Sequence, residues 1–176
     1  MKYLNTLIFL IIIGCSSSSK MMIGKEAEFL TGDQVENLKL TAELDKLISI
    51  EKYRLINIYL RNLNVSWLRI KNTEILEVSN GDRFHVILGN DLDTWLKSIN
   101  LDYELKKKEY ADRKEEFPTL KNYDVKDHIY KKFSVPSQLQ TNKWVLLQLK
   151  SSKLTWVKIK LHFIDGSKQI YKVNIK

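Results

Sequence analysis

Cysteine, histidine and glycine are all scarce in this chain. Of its 176 residues one is Cys, three are His and six are Gly. A single Cys excludes an internal disulfide framework and any cysteine-rich zinc site. Six glycines leave little material for a glycine-rich phosphate cradle. Neither a Gly-x-Ser-x-Gly elbow nor a His-Glu-x-x-His pair occurs. The three histidines, His85, His128 and His162, stand far apart with no ligand spacing between them. Acid pairs such as Asp102 and Glu104 read as solvated. No catalytic residue, metal ligand or cofactor is expected, and a hydrolase would need acids from distant strands to converge. Apolar runs are short too, and none approaches the roughly 20 residues of a membrane-spanning helix.

What is present suffices for a core. Hydrophobic residues make up 44% of the chain, and its length suits one domain. The net charge is +8, which admits an anionic partner or simply a lysine-rich soluble surface. That charge is uneven. From Leu139 to Lys176 there are eight lysines and one acid, Asp165, whereas Asp102 to Lys132 holds nine basic and eight acidic residues. The mixed signs of the second stretch speak against nucleic acid.

The amino terminus has its own logic. Lys2 precedes an apolar stretch from Leu4 to Ile13, broken only by Asn5 and Thr6, and the stretch ends Ile12-Ile13-Gly14-Cys15. Its charge, length and position fit a secretory signal. An alternative is a buried Cys in a first strand or helix. The four residues resemble the lipobox of bacterial lipoproteins. That resemblance implies a diacylglyceryl group on the Cys15 sulfur and cleavage between Gly14 and Cys15. It also implies membrane attachment through that lipid and, in a cell with two membranes, the outer one, since Ser rather than Asp follows the Cys. The expected organisation is a signal peptide at 1–14, a lipidated Cys and tether at 15–32, and one β-rich domain at 33–176 with a charged insertion around 90–118. Ser16 to Ser19 suit a tether because they are small, polar and poor at forming a core.

Beyond the tether the period is mostly two. Glu51 to Leu60 reads as a strand covered on both faces, and Val65–Ile70 and Glu74–Val78 read as two more. Asn80-Gly81 predicts a hairpin into Phe84, Val86 and Leu88. Leu92, Trp95, Leu96 and Ile99 predict one helix, capped by Asn90 or Asp91. Asp91 and Asp93 favour its positive end, with a metal site or acid pair as the alternative. Leu101–Leu105 alternates again, and Lys106–Phe117 reads as a surface helix or loop closed by Pro118. Trp144–Leu149, Thr155–Ile164 and Lys168–Ile175 are the last strands. Parity predicts that Leu161 pairs with Tyr171 and Ile159 with Val173 around a loop at 165–167.

About nine strands and one helix suit an antiparallel immunoglobulin-like β-sandwich with a helical insertion, with a small β-barrel as the alternative. The outward face of the last hairpin carries Lys158, Lys160, His162 and Lys172. It is the candidate surface for an anionic partner: lipid head groups, envelope glycan or an acidic envelope protein. The expected function is a non-catalytic accessory or interaction module of the cell envelope. The alternative is a lipid- or lipopolysaccharide-handling lipoprotein, which would need an apolar pocket between sheets and helix.

Overall fold

Alternating large side chains draw Tyr53–Asn62 into the ten-residue strand β3. Both of its faces are covered: burial is continuous from Arg54 to Leu60 although Arg54 and Asn57 interrupt the apolar residues. The computed structural model describes residues 26–33, 38–45, 53–81, 83–114, 123–150 and 153–175, the side chains of 80, 99–103 and 106 excepted. The described chain runs β1 (Glu28–Gly32), β2 (Leu38–Leu44), β3, β4 (Leu68–Val78), β5 (Phe84–Val86), α1 (Gly89–Asp112), β6 (Phe133–Val135), β7 (Gln140–Leu149), β8 (Trp156–Phe163) and β9 (Lys168–Asn174).

Two antiparallel sheets result, in the orders β1-β9-β8-β4-β6 and β2-β3-β7-β5. They pack as a β-sandwich. Leu40, Ile56, Ile58 and Leu60 of the four-stranded sheet meet Ile70, Val157, Ile159 and Leu161 of the other, all at 0–1% exposure. Burial of these branched side chains is the main term holding the sheets together. A second apolar cluster lies on the far side of the four-stranded sheet, where Leu92 and Leu96 of α1 cover Leu55, Trp144 and Leu146. Both faces of β3 are therefore dry.

The hairpin of β8 and β9 keeps the expected faces inward with a different register. Ile159 pairs with Tyr171 and Val157 with Val173, and the loop is 164–166. Gly166 explains the shift. Three-residue hairpin loops put their left-handed residue last, and Gly166 has φ +90°. Its N–H donates to the Phe163 carbonyl, and Phe163 N–H donates to the Ser167 carbonyl. Starting the loop at 165 would place this glycine in the middle.

Other expectations are corrected. Val65–Ile70 and Glu74–Val78 do not form two strands. β4 is one strand of 11 residues with register shifts between Ile70 and Asn72 and between Ile75 and Glu77, and Val65 to Trp67 stay outside it. Asn80-Gly81 closes no hairpin. Ser79–Gly81 is a single tight turn that carries the chain from one sheet to the other, since β5 pairs with β7. Leu101–Leu105 is helical, because α1 runs on to Asp112. No β-branched residue occurs from Leu101 to Asp112, and strong helix formers fill the stretch. Leu88 stands at the N-cap, and neither Asn90 nor Asp91 caps by its side chain. Asp91 lies in the first turn, where the helix dipole favours it. The end of the expected tether is strand β1, paired with β9 from Glu28 to Gly32. Its side chains are all exposed, so it leaves no apolar alternation. Main-chain hydrogen bonds define it instead. The signal peptide, Cys15 and Pro118 lie outside the described residues.

Candidate functional site

The outer face of the five-stranded sheet gathers all four candidate residues. Lys158 stands opposite Lys172, Lys160 opposite Ile170, and His162 opposite Lys168. β4 supplies what the hairpin alone did not reveal. Glu77 is opposite Lys158 and Glu74 opposite Lys160. Lys158 Nζ pairs with Glu77 Oε2. Lys160 Nζ lies 3.8 Å from Glu74 Oε2, and His162 Nε2 lies 2.9 Å from Glu74 Oε1. Lys172 Nζ sits 4.9 Å above the Trp156 ring, with Glu28 as its neighbour on β1. The face is thus a lattice of mixed charge rather than a positive field. Partly exposed pairs of this kind contribute little each. They also lower the attraction for an anionic surface, because each lysine meets an acid or a ring before it meets a partner.

A different surface forms where β3–β4, β6–β7 and β8–β9 turn, at one end of the sandwich. Val65 is 92% exposed, Trp67 61%, Leu139 58% and Ile164 45%. The loop bearing Val65 and Trp67 is held firmly. Asn62, fully buried, donates through Nδ2 to the carbonyls of Ser66 (2.7 Å) and Val135 (3.1 Å). Its Oδ1 accepts from Asn64 N and Asn64 Nδ2, each at 2.9 Å. Ser137 Oγ donates to the Asn64 carbonyl and Gln138 Nε2 to the Leu63 carbonyl. Asp165 accepts from Ser167 N and Oγ, which closes the third loop. Between them lies a cleft of about 270 Å³ lined by Trp67, Leu68, Arg69, Phe163, Ile164 and Asp165. Period two placed Val65 and Trp67 on a strand. The missed signal was the Asn-x-Asn spacing of Asn62 and Asn64, a residue type that favours turns closed by side chain to backbone bonds.

The third polar cluster is buried under the segment that follows α1. Tyr123 donates to Asp45 Oδ2, and Asn57 Nδ2 donates to the Tyr123 hydroxyl at 3.1 Å. Burial, followed by the Asp45 carboxylate, pushes the Tyr123 hydroxyl far above its ordinary pKa. His128 is 1% exposed, edge-on to Trp144, and burial pushes its pKa down to about 4. These groups tie the crossing segment to the sheet. The space beneath α1 is filled by Leu55, Ile87, Leu92, Leu96 and Trp144. The cleft found lies at the end of the sandwich and not there, and it falls just below the roughly 300–1,000 Å³ of small-molecule pockets.

Among the described residues no group of three or more His, Cys, Asp or Glu is arranged to hold a metal ion, and no helix is long and apolar enough to cross a membrane. Gly14 and Cys15, the candidate cleavage and lipidation positions, lie outside the described residues. No family model and no curated protein matches the chain. Among solved structures it is similar to the "Apo PCuAC domain from PmoF1", at 10% identity and a TM-score of 0.37, over 83% of this chain and 98% of that one. A likeness of that size carries no argument about function.

Proposed function

We propose that the chain is a lipid-anchored accessory or interaction module of the bacterial cell envelope, with no catalytic role of its own. The observation that carries this reading is Ile12-Ile13-Gly14-Cys15 at the end of a short apolar run with Lys2 ahead of it. One Cys in the chain, placed there, suits attachment rather than redox or metal chemistry. Ten residues separate Cys15 from Glu26, where the described domain begins, and their serines suit a tether. Two or three acyl chains hold a protein stably on a bilayer at about 0.8 kcal/mol per buried CH₂. In a cell with two membranes the outer one is the address.

Binding through the lysine face is not central to this reading. Lys158, Lys160, His162 and Lys172 meet Glu74, Glu77 and Trp156 within their own sheet. The module's partner is better sought among surfaces that are apolar and preformed. Labelled palmitate tests the anchor: the full chain expressed in bacteria incorporates label, and Cys15→Ala abolishes it. Label retained in Cys15→Ala, or none in the parent chain, overturns the reading. Protease shaving of intact cells then separates surface display from a periplasmic location.

A further inference from the structure

The geometry points to a second membrane contact: the loop end bearing Val65, Trp67, Leu139 and Ile164 seats in the interface of a lipid bilayer. Four large apolar side chains, each 45–92% exposed, come from three separate loops and converge at one end. The loops spanning 63–67, 136–139 and 164–167 hold a single charged side chain, Asp165, in a chain that is 28% charged. That carboxylate is turned to its own loop, accepting from Ser167 N at 2.9 Å and Ser167 Oγ at 2.6 Å. Between the apolar residues stand neutral ones: Asn64, Ser66, Ser137 and Gln138. Their loop carbonyls are already met by Asn62, Ser137 and Gln138, so entering the interface strips little unpaired backbone.

The charges lie behind the tip. Arg61, Arg69 and Lys168 stand at the strand ends next to these loops, placed to meet lipid phosphates while Trp67 takes the headgroup level that suits its amphipathic ring. Asp33 is the acid beside Lys168, and its Oδ2 accepts from the Lys168 N–H. The Asn62 bonds hold Val65 and Trp67 outward before any contact, so little ordering cost remains on docking.

The chain outside the described domain selects the occupant. β1 runs toward the tip, and Ala27 lies five residues back from Gly32, about 16 Å at strand rise. The eleven residue-to-residue steps from Cys15 to Glu26 reach about 36–40 Å when extended. A domain tethered at Cys15 therefore reaches its own bilayer with this end, and tethering raises the effective concentration of that contact. The inference rests on the tethering reading only for delivery to the bilayer.

Trp67 supplies the readout, because it is the most exposed of the four tryptophans, Trp95, Trp144 and Trp156 being buried or half-buried, and the segment before Cys15 contains none. The full chain is recovered from bacterial membranes and reconstituted in phosphatidylethanolamine and phosphatidylglycerol vesicles with brominated acyl chains. Emission is expected to fall relative to unbrominated vesicles. Trp67→Phe removes that fall, and Val65→Asp reduces it several-fold. Equal emission in both vesicle types overturns the proposal, as does a fall unchanged by Trp67→Phe. Trp67 left unquenched by bromine yet shielded from aqueous iodide in native membranes assigns the tip to a protein partner and also overturns it. Intact mass of the same sample reads acylation of Cys15 independently. Quenching without acylation keeps the tip and removes the lipid anchor; acylation without quenching does the reverse.

Discussion

The His128 ring stands edge-on to Trp144, 4.8 Å between centroids and 89° between planes. His128 Nε2 is buried there with no hydrogen-bond partner among the described residues. Desolvation, helped by Lys131, keeps the ring neutral down to about pH 4, against 6.5 for a free histidine. The unfolded chain therefore binds the proton at a higher pH than the folded one. Stability from this group is complete above pH 6.5 and falls as pH drops from 6.5 through 4, by about 3 kcal/mol in all. Urea unfolding at pH 7 and pH 4.5 measures it. His128→Phe keeps the ring contact and should flatten that part of the profile. An unchanged pH difference in the variant would show that other groups carry it.

Asn62 is the second test. Asn62→Ala strips partners from the buried Val135 carbonyl and from Asn64 N and the Ser66 carbonyl, which are only part-buried. A loss of about 2 kcal/mol is expected, since one buried group left unpaired costs about 1–3 kcal/mol and water can reach the other two. The same variant should loosen the 63–67 loop, read as faster hydrogen exchange at Asn64 and Ser66. A loss below about 0.5 kcal/mol, the size of an ordinary surface change, would remove Asn62 from its organising position.

Gly32 marks the end of β1. A Cβ built there meets the Lys168 carbonyl oxygen at 2.1 Å, at φ +123°. Gly32→Ala cannot keep the pairing with Gln169, so β1 should detach from β9. Hydrogen exchange should rise at Asp33, whose N–H donates to the Lys168 carbonyl, while the core strands stay protected. Uniform loss of protection would instead mean that β1 is required for the whole sandwich.

The mixed-charge face makes an opposite-signed prediction from a positive one. Glu74→Gln with Glu77→Gln should uncover Lys158, Lys160 and His162, and retention on heparin should move to higher salt. Stability should change by about 1 kcal/mol or less, as partly exposed pairs do. If the parent chain is already retained strongly and Lys158→Glu with Lys160→Glu abolishes that, the face is positive in effect despite its glutamates.

Local chemistry made part of this legible from residues alone. Period two along β3 and β8 assigns the inward faces, because a strand alternates its side chains whatever it packs against. Leu92, Trp95 and Leu96 announce α1 by helical spacing, and Leu92 and Leu96 are indeed buried on the sheet. Where the pattern is carried by main-chain bonds or a glycine, it is silent. β1 has no buried side chain to report it, and the register of β8 and β9 depends on where Gly166 must sit.

The sequence by itself determined a β-rich core, a helix after Asn90, a lone Cys behind an apolar run and the grouping of four basic residues on one hairpin face. Each follows from neighbours within a few positions. Only the tertiary structure decided that Glu74 and Glu77 meet Lys160 and Lys158, which lie 86 and 81 positions away. Only it decided that Val65 and Trp67 leave the sheet and share an end with Leu139 and Ile164. Those relationships arise when separate strands pair and separate loops close, and no local pattern of side chains encodes which strand becomes the neighbour.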